Sequence, residues 1–502
     1  MSLLAIDIGS SSCKAIVFTV GGTILAKHIA TYSPDFPQPG FAEMDPNQFW
    51  LALCAACHAV TASLSEPVQA LCLSSHGETF VTLDSDGRPL APAILNQDNR
   101  ATDETSWCVQ TIGPSRLFQI TGLIGHPMYP LPKIVWLRKH QPDVFASTAT
   151  FVTLIGYLLH RMGLPPYVDF SLASRFMAFD IENRRWSDEI LSAVGLTIGC
   201  LPVAVPAGSI VGKLSAEVAA TLGISAGTAV VLGGHDQPCG ALGSGVVSAG
   251  RVSDSIGTYE CLVACSDAPS ISELALSASL NSYCHVVPEK YVNLAYFPSG
   301  IMVKWFHDLL YANDCETIAA EPTQDAEAQH YAFLERNCPK QPTGLCITPH
   351  LIGTCNPEFN PHVRAAITGL AAGTTRNQVY KGILEGLACE LSLITEVLAK
   401  AVGPFQDIYV AGGGSRSTLG LQLRAAMTRR RLHLLTQQEA VCLGTAMLAA
   451  TAVGEFRNLS EAAGELVKET TVLEPEDDLF ASYRQQQQRY RLLRSAMVAQ
   501  LN

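Results

Sequence analysis

Three short stretches of this chain concentrate groups that suit phosphate chemistry. The first is Asp7-Ile8-Gly9-Ser10-Ser11-Ser12, with Lys14 just beyond. An apolar run from Leu3 ends on the acid, and Gly9 lets the backbone bend where a Cβ would crowd it. The serine hydroxyls and turn N–H groups offer donors aimed at one point, Lys14 adds a positive charge, and Asp7 can hold a divalent cation directly or through water. The second stretch, Ser255-Ile256-Gly257-Thr258, repeats the device half a chain later. The third, Gly412-Gly413-Gly414-Ser415-Arg416-Ser417, is a turn that lets a ligand approach the backbone. A hairpin with a polar tip explains any one of these alone. Three in one chain make candidate phosphate or nucleotide contacts.

A carboxylate suited to proton transfer stands elsewhere. Asp236, in Gly233-Gly234-His235-Asp236-Gln237, follows a buried-strand pattern at Ala229 to Leu232. Ligands of α/β folds gather at the carboxyl ends of strands, and an acid there can take the proton of a hydroxyl attacking phosphorus. The plain alternative is an Asp that caps the next helix. His76-Gly77-Glu78 also follows a predicted strand. Buried together, His76 and Glu78 would present hydrogen-bond groups to a polyhydroxylated ligand, whereas a loop His and a solvated Glu are the commoner case.

Other motifs carry less. Cys54-Ala55-Ala56-Cys57-His58 spells a haem-attachment pattern, but it lies in an apolar helical run where Cys acts as a small hydrophobe. Cys346, His350 and Cys355 lack a fourth partner for a structural zinc. Gly208 to Lys213 has the wrong spacing for a phosphate loop, and Leu214 replaces its hydroxyl.

Elements must position these residues. Strands are predicted at Leu3 to Ile8, Ala15 to Val20 and Thr23 to Thr31, then a Pro-rich loop, then a helix from Asn47 to Leu64 opened by Asp45-Pro46. Further helical patterns start at Ala101, Pro132 and Thr150, and Lys213 to Leu222 reads as helix. From Arg251 the strand–turn–strand opening recurs, followed by strands at Asn281 to Val287 and Tyr291 to Phe297. A long helix from about Thr375 to Ala401, a strand at Ile408 to Ala411 and a helix from Glu439 to Ala452 complete the second half. Two related α/β domains are therefore expected, meeting near Ser244 to Gly250. A chain of 502 residues, 48% hydrophobic and 16% charged, has ample core for two domains.

The net charge of −12 argues against a general nucleic-acid or anionic-membrane surface. The one dense basic run, Arg429-Arg430-Arg431, is predicted to close a helix, where cations favour the dipole. The opening residues lack the features of a signal peptide, and no charge-free apolar run reaches spanning length. With 16 cysteines read as reduced thiols, a cytoplasmic protein is expected.

Assembled, these residues resemble the FGGY carbohydrate kinases, the family of xylulokinase and glycerol kinase, nearly end to end. Asp7 to Ser12 with Lys14 is similar to the family's first phosphate motif, and Ser255 to Thr258 to its second. Pro39-Gly40-Phe41-Ala42-Glu43-Met44-Asp45-Pro46 is similar to the stretch before its first helix. Gly234-His235-Asp236-Gln237 resembles its catalytic segment, Gly412 to Ser417 its adenosine motif, and Glu439 to Leu448 the helix segment that follows. The resemblance implies two actin-like, ribonuclease-H-like ATPase domains flanking a central cleft, residues 1–246 on the sugar side and 247–502 on the nucleotide side.

It implies ATP and Mg2+ as cofactors, a small-molecule sugar or polyol as partner, neither nucleic acid nor membrane, and it accommodates a homodimer. Asp236 becomes the implied base, with His76, Glu78, Asp98 and Gln237 beside it on the sugar. Ser10, Ser11, Ser12, Lys14, Gly257, Thr258, Gly413, Gly414 and Ser417 fall to the nucleotide, and Asp7 to the metal. Departures bear on the substrate. Glu78-Thr79 and Asp236-Gln237 look more like glycerol kinase, yet Gly77 stands where that enzyme has Arg. Asn96-Gln97-Asp98-Asn99-Arg100 lacks the Trp of the xylulokinase motif. Losing a bulky Arg or Trp would make room for five carbons, so a ketopentose such as xylulose is expected. A polyol (glycerol, erythritol or a pentitol) is the alternative, and an actin- or chaperone-like ATP-driven binder without sugar chemistry the more distant one.

Overall fold

The computed structural model describes residues 2–62, 64, 66–314 and 324–500. Two mixed sheets of matching topology organise them. In the first half, β1 (Ser2–Ile8), β2 (Ser12–Thr19) and β3 (Ile24–Thr31) form an antiparallel ladder. Beside β1 run β4 (Val68–Ser75) and then β6 (Ala229–His235), both parallel to it, and β5 (Ile210–Lys213) closes the edge antiparallel. In the second half, β7 (Arg251–Ile256), β8 (Tyr259–Ser266) and β10 (Tyr291–Pro298) form the antiparallel ladder, with β9 (Asn281–Cys284) outside β10. β11 (Asp407–Ala411) and β12 (Arg431–Leu435) run parallel to β7, and β13 (Glu469–Leu473) closes the edge antiparallel. The repeat seen at the two glycine turns thus extends to whole sheets.

β1 is apolar on both faces because both faces are covered, the condition under which a strand loses alternation. Leu4, Ile6 and Ile8 pack with Phe49, Leu53 and Ala56 of α1 (Pro46–Thr61). Leu3 and Ala5 pack with Leu443, Ala446 and Met447 of α8 (Ala440–Ala452). Asp45 caps α1 by accepting from Asn47 N at 3.0 Å, a contribution of about 1 kcal/mol for such caps. Cys57 is buried in the same core and Cys54 packs against it, so the haem-like spelling is a helix face.

α8 belongs to the second half in sequence but lies on the first sheet. It crosses α4 (Asp236–Gly243) with no room for side chains at the crossing. A Cβ on Gly243 would stand 1.8 Å from Ala440 O, and one on Gly444 would stand 1.9 Å from Cys239 O. Backbone meets backbone there, and α4 is held against the second half through Cys239 and Gly243.

Several sequence expectations shift. Thr150–Thr153 is a strand, and its last residue caps the helix Leu154–Arg161. Ile210–Lys213 is a strand, and the helix begins only after the Ser215 cap, at Ala216–Leu222. The arginine run straddles an element boundary, with Arg429 left-handed (φ 56°) as a helix C-cap and Arg431 opening β12. Among the described residues no cluster of three or more His, Cys, Asp or Glu could hold a metal, and no helix is long and apolar enough to cross a membrane.

Candidate active site

The first half delivers its polar groups at the carboxyl ends of its parallel strands. Asp7, near the end of β1, lies opposite Lys14 of β2 and accepts from Ser74 Oγ of β4 at 3.2 Å. Burial pushes the Asp7 carboxyl up to about 6, against the pull of Lys14 and Ser74. Asp236 follows the end of β6 as the first residue of α4. Its side chain is about 24% exposed, yet Oδ1 is buried without a hydrogen-bond partner. His235 Nε2 stands 3.1 Å from that oxygen, close enough to count as an ion pair were the ring charged, but outside hydrogen-bond geometry. Burial holds the His235 ring well below its ordinary range, and hence neutral. Burial, then Asp7 and Glu78, push the Asp236 carboxyl well above the usual carboxylate range.

These acids fit the divalent ion that the family pattern implies. Asp7 is an oxygen donor whose ionised form the protein itself stabilises poorly. Mg2+ commonly takes one or two carboxylates and fills its remaining positions with water and phosphate.

Two cavities open beside these groups. One of about 100 Å³ is lined by Lys14, Asp236, Gln237, Asp254, Ser255 and Glu439, among others, and so by both halves. The other, of about 960 Å³, lies in the second half and is lined by Gly257, Gly300, Gly413, Gly414, Ser417 and Lys381, among others. Glycine is required at its wall, because a Cβ on Gly414 would stand 2.2 Å from Ile256 Cγ2. The Ser417 hydroxyl caps α7 (Thr418–Thr428) by accepting from Gly420 N at 3.0 Å.

The turn between β1 and β2 leaves Ser10 and Ser11 exposed and Ser12 half-buried. It is braced from beneath, where Tyr32 OH donates to Gly9 O at 2.6 Å and Tyr32 N to Ser11 O at 3.0 Å. The matching turn exposes Gly257 and Thr258, and Ser299 N and Gly300 N donate to the carbonyls of Thr258 and Gly257. Lys14 donates to Glu439 Oε2 at 2.7 Å, and Lys27 holds the other Glu439 oxygen. A phosphate reaching Lys14 would therefore share it with Glu439 or displace that carboxylate.

On the acceptor side two of the expected residues already have protein partners. His76 has both ring nitrogens engaged, Nδ1 with Ile8 O at 2.9 Å and Nε2 with Thr79 Oγ1 at 2.7 Å. Asp98 is fully buried, accepting from Ala42 N at 2.6 Å, from Arg100 N and from the Arg100 guanidinium. Both residues brace the walls and present no free polar atom.

Glu78 behaves differently. It sits at φ 67°, a left-handed conformation unusual for a non-glycine residue and common at ligand sites. Its Oε1 accepts from Arg175 Nε at 2.5 Å. Arg175, just after α3 (Phe170–Ser174), lies 5.1 Å from the ring centre of Tyr129 and 4.9 Å from that of Tyr283 in β9. The Tyr283 hydroxyl is 3.0 Å from His235 Nδ1, which ties this layer to Asp236's neighbour. The space beside Gly77 is not left open. A Cβ there would stand 3.1 Å from His235 Nε2 and 3.3 Å from Arg175 Cγ.

Arg175, Tyr129, Tyr283 and Glu439 were not among the residues the sequence singled out. The signal for Arg175 was a lone cation in the apolar run Leu172 to Phe179. The two tyrosines carried none, since their meeting is tertiary.

Residues 2–243 match the N-terminal domain of the FGGY family of carbohydrate kinases, and residues 253–453 match its C-terminal domain. The chain is 30% identical to the xylulose kinase of Escherichia coli K12 over 500 residues, covering 98% of each. It is 25% identical to the gluconokinase of Bacillus subtilis over 486 residues, covering 96% of this chain and 93% of that one. Among solved structures it resembles a ligand-bound xylulose kinase from Lactobacillus acidophilus, with a TM-score of 0.91, 22% identity and coverage of 100% and 99%. It also resembles the Plasmodium falciparum glycerol kinase with ADP, with a TM-score of 0.87, 20% identity and 98% coverage of each. These likenesses carry the fold, that of two actin-like, ribonuclease-H-like ATPase domains around a cleft. The chain belongs to the FGGY family of carbohydrate kinases and is a sugar kinase that uses ATP with Mg2+.

Proposed function

We propose that this kinase phosphorylates a terminal hydroxyl of a small neutral sugar, a ketopentose such as xylulose. The observation that carries the reading is Asp236, a half-buried acid with one buried, orphaned oxygen that lines a cavity shared by both halves. In this reading residues 1–246 carry the acceptor and 247–502 the nucleotide. Asp236 Oδ1 accepts the proton of the attacking hydroxyl and orients that oxygen toward phosphorus. The raised carboxyl suits a group that must gain a proton and return it.

Ser10, Ser11 and Ser12 donate to phosphate oxygens from one side, and the turn at Gly257 and Thr258 does so from the other. Lys14 supplies positive charge where it develops on those oxygens. Gly413 and Gly414 let the adenosine approach the backbone above the larger cavity. Asp7 would hold Mg2+, which when bound neutralises phosphate charge and favours transfer. Glu78 and Gln237 orient the sugar.

The test is acceptor-dependent ADP release with D-xylulose, D-ribulose, ribitol, erythritol and glycerol. The expected result is a clear preference for a ketopentose. ATP turnover that ignores every acceptor contradicts the reading. A polyol kinase is the second reading, favoured by the left-handed Glu78, whose charge is felt at Asp236, and a preference for ribitol, erythritol or glycerol would select it.

A further inference from the structure

The relatives differ in the charge of what their names say they phosphorylate, a ketose in one case and an aldonate in the other. The acceptor side of this chain bears on that difference through one buried ion pair. Arg175 is 3% exposed, and Glu78 holds its Nε. Nη1 is buried and has no hydrogen-bond partner. The guanidinium lies over the Tyr129 and Tyr283 rings, so its Nη1 donors have a set direction.

The neighbouring cations are also engaged. Lys133 donates to Leu95 O at 2.6 Å and Met128 O at 2.7 Å, and Arg100 pairs with Asp98 and Glu43. Burial keeps the His126 and His235 rings neutral. Against these stand the acids Asp7, Glu78 and Asp236. A desolvated carboxylate entering here would find three acids and, apart from the Arg175 that Glu78 holds, among the described residues only Lys133, which is turned to backbone carbonyls and whose pKa burial lowers to about 7. A neutral polyhydroxylated molecule has both the donors that Glu78 accepts and the acceptors that Arg175 Nη1 lacks.

We propose that the Arg175–Glu78 pair is the specificity determinant of the acceptor pocket, with Arg175 Nη1 donating to a substrate oxygen and Glu78 cancelling its charge, so that neutral ketoses or polyols are taken and aldonates refused. This rests on the sugar-kinase reading above. Arg175 packs against the face that Gly77 leaves without a side chain, its Cγ 3.3 Å from where a Cβ would stand.

The experiment compares kcat/KM for D-xylulose, ribitol and D-gluconate in the wild type and in Glu78→Gln, Arg175→Met and Arg175→Lys. The wild type should favour a neutral acceptor over gluconate by about 100-fold or more. Glu78→Gln keeps the shape of the pair and frees the Arg175 charge, so the gluconate-to-neutral ratio should rise about tenfold or more. Arg175→Met should lower kcat/KM for the neutral acceptor without raising that ratio, and Arg175→Lys should recover part of the loss. A merely structural pair would lower stability and all three acceptors together. A wild type that prefers gluconate, or a Glu78→Gln ratio equal to wild type, overturns the inference while leaving the kinase reading intact. Failure of the wild type with D-xylulose, ribitol and gluconate alike, together with the acceptors named above, overturns both.

Discussion

The two glycine turns have the same backbone surroundings and different side chains. Each joins a central strand to its antiparallel partner, β1 to β2 and β7 to β8, and each central strand has a parallel neighbour on its other side. In the first hairpin the pair facing across the ladder is Asp7 with Lys14. At the matching place in the second hairpin the pair is Ser255 with Cys261. The second hairpin keeps its charges underneath. Asp254 and Glu260 are buried, and Glu260 takes Arg424 at 2.9 and 2.6 Å and Ser299 Oγ at 2.7 Å. One turn therefore brings an acid and a lysine together across its ladder, while the other offers backbone, one hydroxyl and, to the smaller cavity, Asp254, stiffened by a salt bridge below. A duplicated frame can serve asymmetric chemistry by exchanging one cross-strand pair.

Four variants would break or sharpen this contrast. Gly300→Val attacks the backbone turn, because a Cβ on Gly300 would stand 2.4 Å from Gly257 O. Displacing that turn by such a clash should lower kcat/KM for ATP about 100-fold, with the acceptor KM little changed. Wild-type ATP kinetics would show that the second turn does not hold phosphate. Lys14→Met removes the charge of the first turn and should lower kcat/KM for ATP about tenfold or more. An unchanged value would mean that Lys14 serves only its bond to Glu439.

Asp254→Asn should leave kcat and both KM values close to wild type. Burial, with Glu260 beside it, pushes the Asp254 carboxyl well above its ordinary range, and the salt bridge at this hairpin is made by Glu260 rather than Asp254. A large loss of activity would make the second hairpin a charged one like the first. The smallest effect concerns the frame. His433 bridges Asp407 and Glu469 at 3.0 and 2.9 Å, tying β12 to both of its neighbours. Burial would lower its pKa, but the two carboxylates outweigh it and raise the ring above its ordinary value. Its stabilisation is therefore complete below about 6.5, the value of an unfolded His, and fades as pH climbs through the higher folded value. His433→Gln should lower Tm slightly at pH 5.5 and hardly at all at pH 9. A deficit that grows with pH would reverse the sign and refute the bridge.

The sequence was most legible where local pattern and function coincide. Arg251–Ile256 was read to the residue, and Thr375 caps the long helix Arg376–Val402 through a capping box. Lys14, Asp236, Gln237 and Ser255 line one cavity, with Asp7 facing Lys14 across the ladder, as motifs at strand ends should. Two kinds of information were missing. Types and spacings do not say whether a polar atom is already engaged by protein, which is why His76 and Asp98 looked available. The layer of Arg175, Tyr129 and Tyr283 draws on three distant segments, so no local window contains it. Thr150 to Arg161 misread for a simpler reason, since a short apolar strand running into an apolar helix has no boundary in hydrophobicity alone.

The central claim is that Asp236 acts on the acceptor hydroxyl, and Asp236→Asn measures it most directly because it keeps the side chain's shape. With D-xylulose as acceptor, or whichever neutral sugar the panel selects, the variant should lose about 1,000-fold or more in kcat. Its Kd for ATP should stay within about tenfold of wild type, because a base acts on the barrier more than on ground-state binding. Near-normal turnover in Asp236→Asn, or a loss that only tracks weakened ATP binding, would contradict the account.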